Sequence, residues 1–276
     1  PTPPPLFFLP PTPQYYMSAC LVGSDVYKRQ VGDIRMPGDK SISHRSIMFG
    51  SLADGKTEIK GFLQGEDALA TLAAFRAMGV NIEGPYNGHV IVHGVGMNGL
   101  KAPKEALYLG NSGSSMRLLA GLLAGQNFSV TLTGDSSLSS RPMGRVADPL
   151  RLMGADIETA EQGRPPITLN GGASLKGIDY DLPMASAQVK SCILLAGLSA
   201  GAEIEIIEPI QTRDHTERML KNFGANIEIA SLDGKNIIKL DSTNNLYAKN
   251  YTVVGDISSA AFLIVSALIS NSPGLE

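Results

Sequence analysis

Three polar stretches, each just ahead of a small, apolar helix, hold the residues best suited to chemistry. They are Pro37–Arg45 (PGDKSISHR), Gly110–Arg117 (GNSGSSMR) and Met184–Lys190 (MASAQVK). A helix start leaves up to four backbone N–H groups unpaired and carries roughly half a positive charge. Small residues let an anion approach those groups closely. Ser41 and Arg45 stand four residues apart, hence on one helix face. Each stretch taken alone is explained as well by N-capping with Ser and Asn. Three in register, with Lys and Arg among them, favour a shared anion site.

Two more basic motifs follow strands: SSRPMGRV with Arg141 and Arg145, and EPIQTRDHTER with Arg213 and Arg218. The guanidinium fork suits phosphate or carboxylate. Asp214, His215 and Glu217 could be imagined as metal ligands. At a helix start, however, Asp214 reads as the cap and Glu217 as its capping-box partner. His44 and Cys192 lie in apolar helices, and Cys192 reads as core. GVGMNG at 94–99 imitates a dinucleotide fingerprint but opens no helix.

The elements that must hold these residues repeat. FRAMGVNIE (75–83), LRLMGADIE (150–158) and LKNFGANIE (220–228) read alike. Each is a helix closed by a glycine (Gly79, Gly154, Gly224), a residue that accepts positive φ, and is followed by a strand, a turn and another strand. Upstream lies a second matched piece, an apolar helix stopped by Gly55, Gly125 or Gly201 and then a β-rich run. The unit is helix, strand, helix, strand, strand, present three times. DISSAAFLIVSALISNSPG, from Asp256, resembles the opening of a fourth copy. Such units bury one helical face against the next, so the three should close around a shared helical core.

Net charge −3 removes the case for non-specific nucleic-acid binding, so an anionic ligand needs a local cationic cluster. Hydrophobic content of 43% is enough to bury a core. Cys20 and Cys192 make neither a disulfide framework nor a thiolate metal site. No apolar run reaches 18 residues, so no membrane span is expected. A soluble, cytoplasmic α/β protein is expected. Residues 1–24 carry no charged side chain, and seven of the 17 prolines fall in the first 13 positions. With Asp25–Gln30 (DVYKRQ), which looks like translated sequencing adapter, residues 1–31 read as a non-native or disordered leader, the alternative being a genuine Pro-rich tail. The chain's far end reads as a truncated reading frame.

PGDKSISHR, GNSGSSMR, RPMGRV, MASAQVKS and EPIQTRDHTE occur in that order. From about residue 32 onward the chain thereby resembles the 5-enolpyruvylshikimate-3-phosphate (EPSP) synthase family, in its bacterial, often glyphosate-tolerant subgroup. The resemblance implies an α/β (α+β) enolpyruvyl transferase fold of two domains, each of three βαβαββ units. Residues 38–254 would be the substrate-binding domain, and 255–276 the start of a second domain that is mostly missing. The implied reaction transfers the enolpyruvyl group of phosphoenolpyruvate to shikimate 3-phosphate, on the pathway to chorismate and aromatic amino acids, with no metal and no organic cofactor. The substrates would be the only partners, with no nucleic acid or membrane, and a monomer is expected.

By motif, Lys40, Ser41, Arg45, Ser186, Ala187, Gln188 and Arg213 match positions holding shikimate 3-phosphate. Lys40, Gly113, Arg141 and Gln188 match the phosphoenolpyruvate site. The family's general base is expected beyond residue 276, leaving no catalytic proton-transfer group here and a binding fragment as the alternative reading of the chain. In the family an Ala at the Gly113 position accompanies glyphosate tolerance. Gly113 leaves that room open, against the other subgroup motifs. A related transferase acting on a UDP-amino sugar carries a loop Cys near Arg141, and GDSSLSSRPMGR (134–145) holds none.

Overall fold

The computed structural model describes residues 34–232, 234–242 and 245–269. The expected leader, residues 1–31 with Cys20, lies outside them. The chain divides into two compact units, Gly38–Val254 and a smaller one formed by the segments on either side.

Within Gly38–Val254 one pattern runs three times. The first copy is α1 (Lys40–Leu52), β1 (Lys56–Lys60), α2 (Glu66–Ala77), β2 (Asn81–Tyr86) and β3 (His89–His93). The second is β4 (Leu107–Tyr108), α3 (Gly113–Ala124), β5 (Val130–Thr133), the short α4 (Ser136–Ser139), α5 (Gly144–Leu152), β6 (Asp156–Ala160) and β7 (Arg164–Asn170). The third is β8 (Ile178–Asp181), α6 (Ala187–Ala200), β9 (Ile204–Glu208), α7 (His215–Asn222), β10 (Ile227–Leu232) and β11 (Lys235–Leu240). A final strand, β12 (Tyr251–Thr252), follows.

The three four-stranded sheets have equivalent orders: β12-β1-β3-β2, β4-β5-β7-β6 and β8-β9-β11-β10. In each, a leading strand pairs parallel to the first strand after the helix, and the other pairings are antiparallel. The leading strands are absent from the helix-first repeat read off the residues but belong to the βαβαββ unit that the resemblance implied. At two to four residues they are too short to show a period of two, and pairing alone defines them. The first sheet takes its leader from the far end of the unit, with Ile59 opposite Tyr251.

Helices α1, α3 and α6 form the interior. Ile47, Met48, Phe49, Leu118, Leu119, Ile193 and Leu194 are fully buried. A helix apolar on all sides belongs in a core, which is why these three show little amphipathic pattern. Helices α3 and α6 pack so closely that a Cβ on Gly121 would overlap the Cys192 carbonyl. Gly79, Gly154 and Gly224 adopt φ of 90°, 95° and 99° just past their helices, as expected of helix-closing glycines. Gly125 does not. Its φ is −91°, and it is small because Ser199 and Ala200 of α6 approach within 3.0 Å of where a Cβ would stand. GVGMNG is a turn.

In the smaller unit, α8 (Ile257–Ile269) starts with Ser258 N–H donating to Asp256 Oδ1 at 2.9 Å. Phe262, Val265 and Leu268 on it are exposed.

Candidate functional site

Asp39 caps α1, its Oδ1 accepting from Ile42 N–H at 2.8 Å. One turn in, Arg45 is buried, and its Nη1 donates to the Ser41 carbonyl at 3.0 Å. Its Nε donates to Thr216 Oγ1 of α7 at 2.7 Å and its Nη2 to Ser191 Oγ of α6 at 3.0 Å. The two hydroxyls bond each other at 2.6 Å. Three helices therefore fix one guanidinium. Desolvation lowers the Arg45 pKa to about 10, against the attraction of Glu217 and Asp39, so it remains a cation at neutral pH.

Ser112 caps α3 and Ser186 caps α6 by accepting from the N–H groups of Ser115 and Val189. Asp39, Ser112 and Ser186 are caps, and residues just inside these helix starts face a common space. Gln188 ties α6 to α3. Its Nε2 donates to Ser114 Oγ at 3.0 Å, and its Oε1 accepts from Arg117 Nη1 at 2.8 Å. Arg117 lies beside Arg141 and Arg145. Burial, then those two like charges, push its pKa below the ordinary arginine value. Arg141 is held by Asn111, through both its backbone and side-chain oxygens, and by Ser137 Oγ. Over the first residue of α3, a Cβ on Gly113 would stand 2.8 Å from Arg117 Nη1 and 3.1 Å from Arg141 Nη1.

The helix starts meet at a cavity of about 110 Å³ lined by Ser41, Arg45, Ser114, Leu118, Ala187, Gln188, Arg213 and His215. Of the sequence candidates, Ser41, Arg45, Ala187, Gln188 and Arg213 line it directly. Gly113 and Arg141 join through Arg117 and Gln188. Lys40 does not line it; its ammonium pairs with Asp67 of α2 at 3.0 Å. Ser186 stands at the α6 start with its side chain engaged as the cap.

Arg117, Ser191, Thr216 and His215 are among the participants that carried no binding role in the sequence reading. Arg117 follows Gly113 by four residues, the same spacing that joined Ser41 to Arg45, so the signal was present. Ser191 and Thr216 carry no local signal, because their role is to accept from an arginine 146 and 171 residues away. His215 was weighed only as a metal ligand. Among the described residues no cluster of His, Cys, Asp and Glu could hold a metal ion.

The capping-box expectation for TRDHTE holds in position, with Asp214 at the N-cap of α7, but not in its side-chain bonds. Asp214 makes no side-chain cap bond; it accepts from Arg218 Nε at 2.6 Å. Glu217 is buried and pairs with Lys190 of α6 at 2.6 Å, and Lys190 also meets Glu208 of β9 at 3.1 Å. All three side chains are 1% exposed. Burial raises the Glu217 pKa, and Lys190 pulls it back. A long-range cation outcompetes a local N–H, which spacing along one helix cannot reveal. Glu208 also accepts from Thr212 through both its backbone N–H and its hydroxyl, fixing the approach to Arg213. His44 is buried and donates to, or accepts from, Thr71 Oγ1 at 2.8 Å. Burial lowers its pKa to about 3. Buried Cys192 has its thiol pushed up to about 12, a core residue as expected.

Comparison with known proteins gives this geometry a context. The family model described as EPSP synthase (3-phosphoshikimate 1-carboxyvinyltransferase) matches residues 25–273. A 3-phosphoshikimate 1-carboxyvinyltransferase of Methylococcus capsulatus is 61% identical over 248 residues, 90% of this chain and 55% of that protein. The protein of that name from Hydrogenovibrio crunogenus is 58% identical over 245 residues, 88% of this chain and 55% of its own. A solved EPSP synthase from Acinetobacter baumannii superposes with a TM-score of 0.80 at 61% identity, covering 86% of this chain and 53% of that one. The chain spans about half the length of the relatives it matches. With a matched stretch covering most of its residues, and a fold shared with the solved relative, the chain belongs to the EPSP synthase family.

Proposed function

We propose that the chain supplies the substrate-binding part of an enolpyruvyl transferase acting on shikimate 3-phosphate and phosphoenolpyruvate. The carrying observation is the cavity at the joined starts of α1, α3 and α6, with Arg45 and Arg213 in its wall and Arg117 and Arg141 beside it. No carboxylate is among its lining residues. Such a wall suits multiply anionic ligands and no cation.

In this reading Ser41, Arg45, Ser186, Ala187, Gln188 and Arg213 hold shikimate 3-phosphate. Gly113, Arg141 and Gln188 receive phosphoenolpyruvate, and Lys40 reaches both once it exchanges Asp67 for substrate. A hydroxyl of shikimate 3-phosphate adds to C2 of phosphoenolpyruvate, giving up its proton while the methylene carbon gains one. The tetrahedral intermediate then expels phosphate and returns a proton from the new methyl group, regenerating the double bond. Residues 38–254 act as the substrate-binding domain, 255–276 open the next one, and the protein works as a cytoplasmic monomer. Among the described residues no helix is long and apolar enough to cross a membrane.

The test is titration calorimetry of the chain with shikimate 3-phosphate, with and without phosphoenolpyruvate, beside an assay for released phosphate. Binding without turnover is expected. Arg45→Ala should weaken binding by about 2–4 kcal/mol, the size of a lost charge-assisted contact in a desolvated site. Equal affinity for shikimate and its 3-phosphate would overturn the assignment.

A further inference from the structure

One titratable group in the cavity wall has no part in the reading above. His215 opens α7, is half-buried and lines the cavity together with Arg45 and Arg213. Among the described residues its imidazole makes no hydrogen bond. The charged groups that face it are Asp39 and Arg45 from α1 and its cap, and Arg213 and Asp214 from the loop leading into α7. These are two cations and two carboxylates, of which Asp214 is already paired with Arg218. A phosphate dianion seated in the cavity brings two further negative charges toward the imidazole.

Imidazole is the side chain whose charge changes nearest neutral pH, and His215 is part of the wall around the space the anion would fill. In the empty site three influences keep it neutral: burial, the neighbouring arginines and the positive end of α7. Asp39 and Asp214 oppose them. Together they hold the pKa below the ordinary histidine value, with desolvation the largest cause. A bound dianion cancels the cationic influences and adds attraction.

We propose that His215 is the specificity-determining proton acceptor of this site, neutral in the empty cavity and protonated from solvent when a phosphate dianion seats between Arg45 and Arg213. The inference rests on the phosphate-ester reading above. Solvent supplies one proton and the imidazole takes it, becoming a third cation; no covalent bond to the ligand forms. By linkage, a ligand that raises the His215 pKa by one unit binds the protonated form tenfold more tightly. Affinity should therefore rise as pH falls from about 8, until the phosphate monoester itself gains a proton near its second pKa of about 6. A carboxylate carries half the charge and gains less, so the device favours phosphate.

The sequence holds four histidines, which makes the measurement direct. The chain is titrated by NMR through its imidazole ring protons, with His215 assigned by the signal lost in His215→Asn, or in His215→Gln should Asn fold poorly. With saturating shikimate 3-phosphate, and with inorganic phosphate, the His215 midpoint should rise by at least one pH unit. Shikimate alone should leave it in place. The dissociation constant for shikimate 3-phosphate should be about two- to fourfold tighter at pH 6.5 than at pH 8 in the wild type, a gain lost in His215→Asn. Binding that perturbs the cavity resonances while the His215 midpoint stays put overturns the proton-acceptor role and leaves the phosphate site standing. Absence of any perturbation by either phosphate compound overturns both.

Discussion

Lys40 and Arg45 lie five residues apart on one helix start, and the same motif points to both, yet their surroundings differ. Lys40 is half exposed and makes one ion pair, with Asp67. Arg45 is buried, and its fork satisfies two hydroxyls and a carbonyl. Lys40→Ala should leave folding stability within about 1 kcal/mol of wild type, since exposed pairs contribute little. Arg45→Ala should lower it by about 2–4 kcal/mol, because Thr216 and Ser191 lose their charged donor inside the protein. Urea denaturation of the two variants checks this. Gly113 is the other position where one atom decides. Its missing Cβ is the room that the Arg117 and Arg141 guanidinium tips occupy. Both are ends of flexible side chains, so Gly113→Ala should fold normally while displacing them. Under the proposed function, the variant in an active parent enzyme should need several-fold more glyphosate for half inhibition at fixed phosphoenolpyruvate. An unchanged inhibition curve would separate Gly113 from the inhibitor pocket.

Between elements, the contact that matters most for the site is α3 against α6. Gln188 bridges their first turns and carries the cavity wall across from one to the other. Lower down, Gly121 admits the Cys192 backbone. The atoms a Gly121→Ala methyl would meet are backbone, which cannot swing aside as the arginine tips at Gly113 can. Gly121→Ala should therefore destabilise by about 1–3 kcal/mol despite its better helix propensity, as overpacking does. A thermal or urea midpoint no lower than wild type would mean the helices part at little cost. The contrast between two glycines of one helix, one facing arginine tips and one facing backbone, is the measurable point.

At the scale of the whole Gly38–Val254 unit, His44 joins the first two copies of the repeat. It contacts Thr71 of α2, whose hydroxyl bonds Ser115 of α3 at 2.7 Å. Burial holds its folded-state pKa at about 3, while an unfolded histidine titrates near 6.5. Between those values the unfolded chain binds the extra proton. The stability that depends on neutral His44 is thus complete above pH 6.5 and is lost as pH falls toward 3, by up to about 1.4 kcal/mol per unit. Urea midpoints measured from pH 7 to pH 4 should fall more steeply for wild type than for His44→Gln, which cannot titrate. Parallel lines would assign the acid sensitivity to other groups. Closure acts at the same scale. The return of β12 to β1, and the backbone bonds of Asp54 with Leu246 and Ala248, join the third copy to the first.

The sequence by itself determined the repeat, the helix-closing glycines and the three polar helix starts, because these are local. A glycine at positive φ and a serine before an apolar run act within one turn of chain. It also picked out Ser41, Arg45, Ala187, Gln188 and Arg213, which stand together around the cavity. Tertiary structure decided what those groups touch. It gave Lys40 to Asp67, turned Glu217 from a capping-box partner into the ion-pair partner of Lys190, and supplied the leading strand of the first sheet from residues 251–252. It also set Ser191 and Thr216 against Arg45 and put His215 in the cavity wall. The physical reason is common to all of these. A buried charge is satisfied by whichever partner packing brings within about 3 Å, and that partner's distance along the chain leaves no local trace.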